Sequence, residues 1–115
     1  MEIHLTQDAE YLLCELYDAY KVRRENGEFS EDARCFGGSD SIQEKYIPQW
    51  PTNDIDEAAR ELSRKGMISC LFADNTLYAA CTLTDDGISF MERRFEDKLD
   101  KLTQRISALR SIIFG

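Results

Sequence analysis

The most constraining feature of the chain is a change of hydrophobic period at Gly66 and its reversal at Thr84. Residues 67–73 and 77–83 are short apolar runs flanking Asp74-Asn75-Thr76, a composition suited to a tight turn between antiparallel strands. On either side, apolar residues recur at helical spacing. Ala9, Leu13, Leu16 and Tyr20, widened by Leu12 and Tyr17, mark a first helix from Thr6 to Asn26. Thr6 suits its N-cap, Arg23 and Arg24 its last turn, and Asn26-Gly27 its stop. A connector follows over 27–40, with room for one turn around Phe29 and Ala33. Ser41-Ile42-Gln43-Glu44 matches a capping box and predicts a short second helix that ends at Pro48. Thr52 or Asn53 suits the cap of a third helix, whose stripe is Ile55, Ala58, Ala59 and Leu62. Its opposite face carries Asp54, Asp56, Glu57, Arg60, Glu61 and Arg64. Thr84 caps a last helix expected to run unbroken from Asp85 to near Phe114, roughly 45 Å at about 1.5 Å per residue.

This order predicts an α+β fold, mainly α: a three-helix core, a β-hairpin and a long C-terminal helix. At 115 residues the chain has the length of one domain, 1–115. With 43% apolar residues it is too hydrophobic for a chain held open by charge. No run suits a membrane span, and Met1 to Leu5 lacks the features of a signal peptide, so a cytoplasmic protein without membrane partners is expected.

Chemistry at a catalytic centre is poorly supplied. His4 is the single imidazole. Cys14, Cys35, Cys70 and Cys81 contain no C-x-x-C pair and do not match zinc-ligand spacing, so they are expected to be reduced thiols acting as small apolar residues. Glycine-rich phosphate loops are missing. Asp85-Asp86 suits the start of a helix better than acid–base work. We therefore expect no enzyme, no metal site and no cofactor.

Two short segments carry a family resemblance. Asp56 to Ile68, through Glu61-Leu62 and Gly66, is similar to the recognition helix of winged helix-turn-helix proteins. Leu83-Thr84-Asp85-Asp86-Gly87 resembles the L-T-x-x-G that closes the wing in MarR- and PadR-like regulators. The resemblance spans about residues 41–95. Tyr20 to Gly27 and Ile47 to Trp50 are also similar to small winged-helix proteins of Gram-positive bacteria and their prophages. The resemblance implies a third helix entering the DNA major groove and a hairpin touching the backbone. Mapped here, Thr52 and Asn53 reach phosphate or a base edge, Arg60 and Arg64 lie outward one turn apart, and Lys45 adds a phosphate contact.

Charge opposes that mapping. The chain holds 22 acidic and 14 basic residues, a net of −8. Residues 1–37 and 38–91 contribute −5 each, and 92–115 contribute +2. The hairpin tip has no cation. Arg60 and Arg64 therefore have a second reading, as partners of Glu57 and Glu61 on a solvated helix.

The last helix bears on assembly. Leu99, Leu102, Ile106, Leu109 and Ile113 form a 4-3 seam, extended backward by Phe95 and Ile88. Pairing with a second copy is the preferred reading, with Phe95 and the five seam residues as interface. Packing onto the first helix and grip of a different partner are the others. Two functions follow. The preferred one is a homodimeric DNA-binding transcriptional regulator recognising double-stranded DNA. The other is an acidic interaction module for a basic protein partner.

Overall fold

The computed structural model describes residues 3–96 and 98–115, with Leu99 given by its backbone alone. Among these residues the fold is α+β and mainly helical, with one antiparallel sheet. In chain order the elements are α1 (Gln7–Glu25), α2 (Ser30–Ala33), β1 (Cys35–Gly37), α3 (Ser39–Tyr46), α4 (Thr52–Arg64), β2 (Ile68–Ala73), β3 (Thr76–Leu83), α5 (Asp85–Phe95) and α6 (Leu99–Phe114).

α1 is the axis of the core. Every residue from Ala9 to Tyr17 is buried, because α2, α4, α5 and α6 all pack against it. Thr6 caps its start, accepting from the Ala9 amide at 3.3 Å. Gly27 turns the chain at its end with φ +90°, a conformation that costs glycine little.

The sheet order is β1-β3-β2. β2 and β3 form the expected hairpin around Asp74-Asn75. β1 was not anticipated, since three residues carry too little pattern to register as a strand. It pairs with β3 through Cys35–Thr82 and Gly37–Cys81. β3 loses register twice against β2, leaving Tyr78 and Ala80 as the extra residues. Ala80 takes φ +60° to make room.

Several local expectations are corrected. α3 begins at Ser39 behind Gly38, so Ser41 and Glu44 do not form the expected capping box. Gly38 is needed there because a Cβ would lie 2.4 Å from the Tyr78 carbonyl oxygen. α4 begins behind Pro51, and Thr52 and Asn53 are its first residues rather than its cap. Proline suits this edge because its ring holds φ near −60°, which fits the extended conformation it takes ahead of the helix. Asp56, expected on the outer face, is buried.

The largest correction concerns the last helix. It breaks at Glu96, which takes the left-handed conformation at φ +50°. Such a residue costs about 1–2 kcal/mol. In return α6 folds back over α1 and buries Leu102, Ile106 and Leu109. Each buried aliphatic side chain contributes about 1.5–3 kcal/mol, so tertiary packing outweighs local helix continuity. Phe114 at the end of α6 meets Tyr11 and Trp50 edge-on, with ring centroids 5.6 and 6.4 Å away. No helix among the described residues is long and apolar enough to cross a membrane.

Candidate recognition face

Asn53, Glu57, Arg60 and Arg64 lie three or four residues apart, so they share one stripe of α4. The hairpin lies beside it. Leu62, Ile55 and Ala59 hold the opposite side of α4 in the core. Asp56 accepts the Leu77 amide at 2.9 Å and fixes the tip end of the hairpin to the helix. The closing motif acts at the other end. Thr84 Oγ1 donates to the Gly66 carbonyl at 2.6 Å and accepts the Gly87 amide at 2.9 Å. Gly87 is bare because a Cβ would stand 2.1 Å from the Met67 oxygen.

The five residues expected to meet nucleic acid have different settings. Lys45 and Asn53 are exposed and Thr52 is half-buried. Arg60 donates from its Nη1 to the Asn75 carbonyl at the hairpin tip, bracing helix to hairpin. Arg64 is exposed. Among the described residues, no ion pair joins Arg60 or Arg64 to Glu57 or Glu61, so the solvated-pair reading of these arginines is also corrected. Glu61 instead binds the start of α1: it accepts the Thr6 amide at 2.9 Å, the Thr6 hydroxyl at 2.7 Å and Lys65 Nζ at 3.1 Å. Burial raises its pKa, but these donors more than offset that and hold it below the usual carboxylate value.

Carboxylates crowd this end of the molecule. Burial, and then repulsion from Asp54, Glu57 and Glu61, push the Asp8 pKa up. The hairpin brings no cation to the face. Its exposed large side chains are Leu71 and Tyr78, 59% and 71% accessible. An open cleft of about 360 Å³ lies between the α3–α4 turn and the end of α6, lined by Trp50, Pro51 and Phe114 with Asp8 and Asp54 at its rim.

Most cations are engaged elsewhere. Arg23 stacks over Phe36 and Tyr46, 4.9 and 5.7 Å from the ring centroids, and donates to the Cys35 carbonyl at 2.7 Å. Arg94 and Arg105 both clasp Glu10, and Arg110 clasps Glu15 at 2.7 Å. Arg34 pairs with Asp85 at 2.8 Å. Sequence pattern could not assign these partners, since most are distant in the chain.

The expected dimer seam is also occupied from within. Phe95, Leu102, Ile106 and Leu109 are buried in their own chain, and Ile113 packs against the same core. These residues therefore do not form an open interface. The Leu99 side chain lies outside the described residues. Ile112, just beside the seam, remains 55% exposed. Among the described residues, no three His, Cys, Asp or Glu side chains group as metal ligands would. Compared with family models, with curated proteins and with solved structures, the chain matches none.

Proposed function

We propose that this chain is a winged-helix protein-interaction module whose α4–hairpin face receives a basic, partly apolar protein partner. The fold reading is supported by the element order α1–β1–α3–α4–β2–β3 and the sheet order β1-β3-β2, with the hairpin as the wing. The observation that carries the function is the division of charge. Arg23, Arg34, Arg94, Arg105 and Arg110 are engaged within the chain, while Asp8, Asp54 and Glu57 line the outer face. Phosphate binding needs available cations, and carboxylates repel phosphate. The same carboxylates suit a partner that presents Lys or Arg, and Leu71 and Tyr78, exposed on the solvent side of the hairpin, offer apolar surface for its anchor.

A second reading has one specific observation in its favour. Asn53, Arg60 and Arg64 share a single stripe of α4, with Lys45 exposed on the preceding helix, as a major-groove reader requires. This reading makes the chain a DNA-binding transcriptional regulator.

Fluorescence polarisation separates the two. The probes are a random-sequence duplex pool and a Lys/Arg-rich amphipathic peptide, each at low and moderate salt. The expected result is peptide binding that weakens with salt and is lost in Asp54→Lys/Glu57→Lys, with no duplex binding. Duplex binding at low salt that falls on Arg64→Ala, without peptide binding, would overturn the module in favour of the regulator.

A further inference from the structure

Three of the four thiols lie on the sheet, and two of them meet. β2 pairs with β3 through Ser69–Thr82 and then Leu71–Ala79. Cys70 thus stands opposite a two-residue bulge made by Ala80 and Cys81. The register of Ser69–Thr82, continued by one residue, leads to Cys70 across from Cys81, and regular antiparallel partners lie about 4.5–5.5 Å apart at Cα, within the roughly 4.4–6.8 Å that a disulfide spans. Both side chains point to the inner face, as the alternating burial of β2 and β3 requires. Cys70 is half-buried and Cys81 is fully buried. Cys70 is therefore partly open to solvent, and Cys81 is closed to it.

We propose that Cys70 and Cys81 are a dithiol modification site, with Cys70 as attacking thiol and Cys81 as resolving thiol toward low-molecular-weight disulfides such as oxidised glutathione. The Cys70 thiolate attacks one sulfur of R–S–S–R. A Cys70–S–S–R bond forms, the R–S–S–R bond breaks, and R–S⁻ leaves and takes up the proton lost by Cys70. Cys81 then loses its proton and attacks Cys70 Sγ. The Cys70–Cys81 bond forms and a second R–S⁻ leaves, protonated by the proton from Cys81. Two thiols are oxidised by two electrons, and one R–S–S–R is reduced to two R–SH.

The surroundings favour this division of labour. The neighbouring Cys81 thiol lowers the Cys70 pKa, while Cys70 and burial raise that of Cys81 well above its ordinary value. Thiolate attack follows the thiolate fraction, so Cys70 goes first. Cys14 is excluded because burial in α1 pushes its pKa up to about 12. Cys35 is exposed on the other face of the sheet, with its S–H given to the Glu31 carbonyl at 3.2 Å. The left-handed Ala80 beside the pair gives the bulge a strained geometry. A cross-link there is expected to be reducible, as strained disulfides are.

The test exposes the reduced full chain to oxidised glutathione, then alkylates the remaining thiols and maps peptides by mass spectrometry. The expected product has lost two of its four thiols, with the peptides of Cys70 and Cys81 joined and the bond reversed by excess reduced glutathione. Cys81→Ala is expected to stop at one glutathione on Cys70. Four surviving thiols in the unmodified chain, glutathione only on Cys35, or a Cys70 adduct that never resolves would each overturn the proposal. The unmodified chain decides the matter even if Cys81→Ala folds poorly.

Discussion

Asp56 sits in the second turn of α4, yet its task lies 21 residues away, where its Oδ1 holds the Leu77 amide at 2.9 Å. The carboxylate is buried, so its loss strands a buried amide without a partner. Asp56→Ala is expected to cost about 1–3 kcal/mol. Asp56→Asn keeps an acceptor oxygen and is expected to cost less. Urea unfolding of the three chains at equal m-value measures both; equal, near-zero losses would remove the bond from the account of the fold. Legibility at this scale follows the distance between a residue and its task. Thr84 was readable as a cap because the amide it accepts lies within the same motif, whereas the close approach that requires Gly87 is to Met67, outside the motif, and left no local sign. Gly66 was readable because a left-handed stop is local. Asp56 was misplaced, and the partners of Arg23 and Arg60 went unread, for the opposite reason. Their acceptors are Leu77, Cys35 and Asn75, and nothing in the spacing of charges marks a backbone group elsewhere as the partner.

The elements were legible where they were long and periodic. α1, α4 and the hairpin stand close to their expected bounds. The break at Glu96 was not visible, because Glu96 and Lys98 suit a helix interior and carry no glycine or proline signal. What breaks the helix is the demand of α1 for a cover. α1 presents Glu10 and Glu15 on the side that α6 takes, and both are buried there. Burial raises the Glu10 pKa, while Arg105 and Arg94 lower it by more, so the net shift is downward from 4.5. A carboxylate with a lowered folded pKa stabilises the fold fully above its unfolded pKa. That contribution is lost as pH falls through the folded value. Seating of α6 is therefore expected to weaken as pH drops below about 4.5. Glu10→Gln removes this titration and is expected to flatten the acid limb of stability against pH, at lower stability near neutrality. Urea midpoints from neutral pH down to pH 3 would check it, and an unchanged acid limb in Glu10→Gln would place the sensitivity elsewhere.

For the molecule as a whole, the positive surplus of residues 92–115 takes on a different meaning. In the sequence it sat on a helix expected to pair with a second copy. In the structure, Arg94, Arg105 and Arg110 answer the two buried carboxylates of α1, and the apolar seam beside them fills the core. A 4-3 seam fits a partner chain and the chain's own first helix equally well, because both present a helical groove. Pattern alone does not choose between them; the charges opposite the seam do. Three arginines meet two glutamates of α1, and that match is internal to one chain. Folding is then expected to be independent of a second copy. Leu109 is wholly buried, so Leu109→Ala is expected to lose about 2–5 kcal/mol at every protein concentration. The unfolding midpoint of the parent chain is expected to stay fixed across a hundredfold dilution, because a monomer's stability carries no mass-action term. A midpoint that rises with concentration, with a Leu109→Ala loss that vanishes on dilution, would show that the seam closes between chains. The internal pairing of α6 would then be one half of an exchange, with each α6 covering the α1 of its partner.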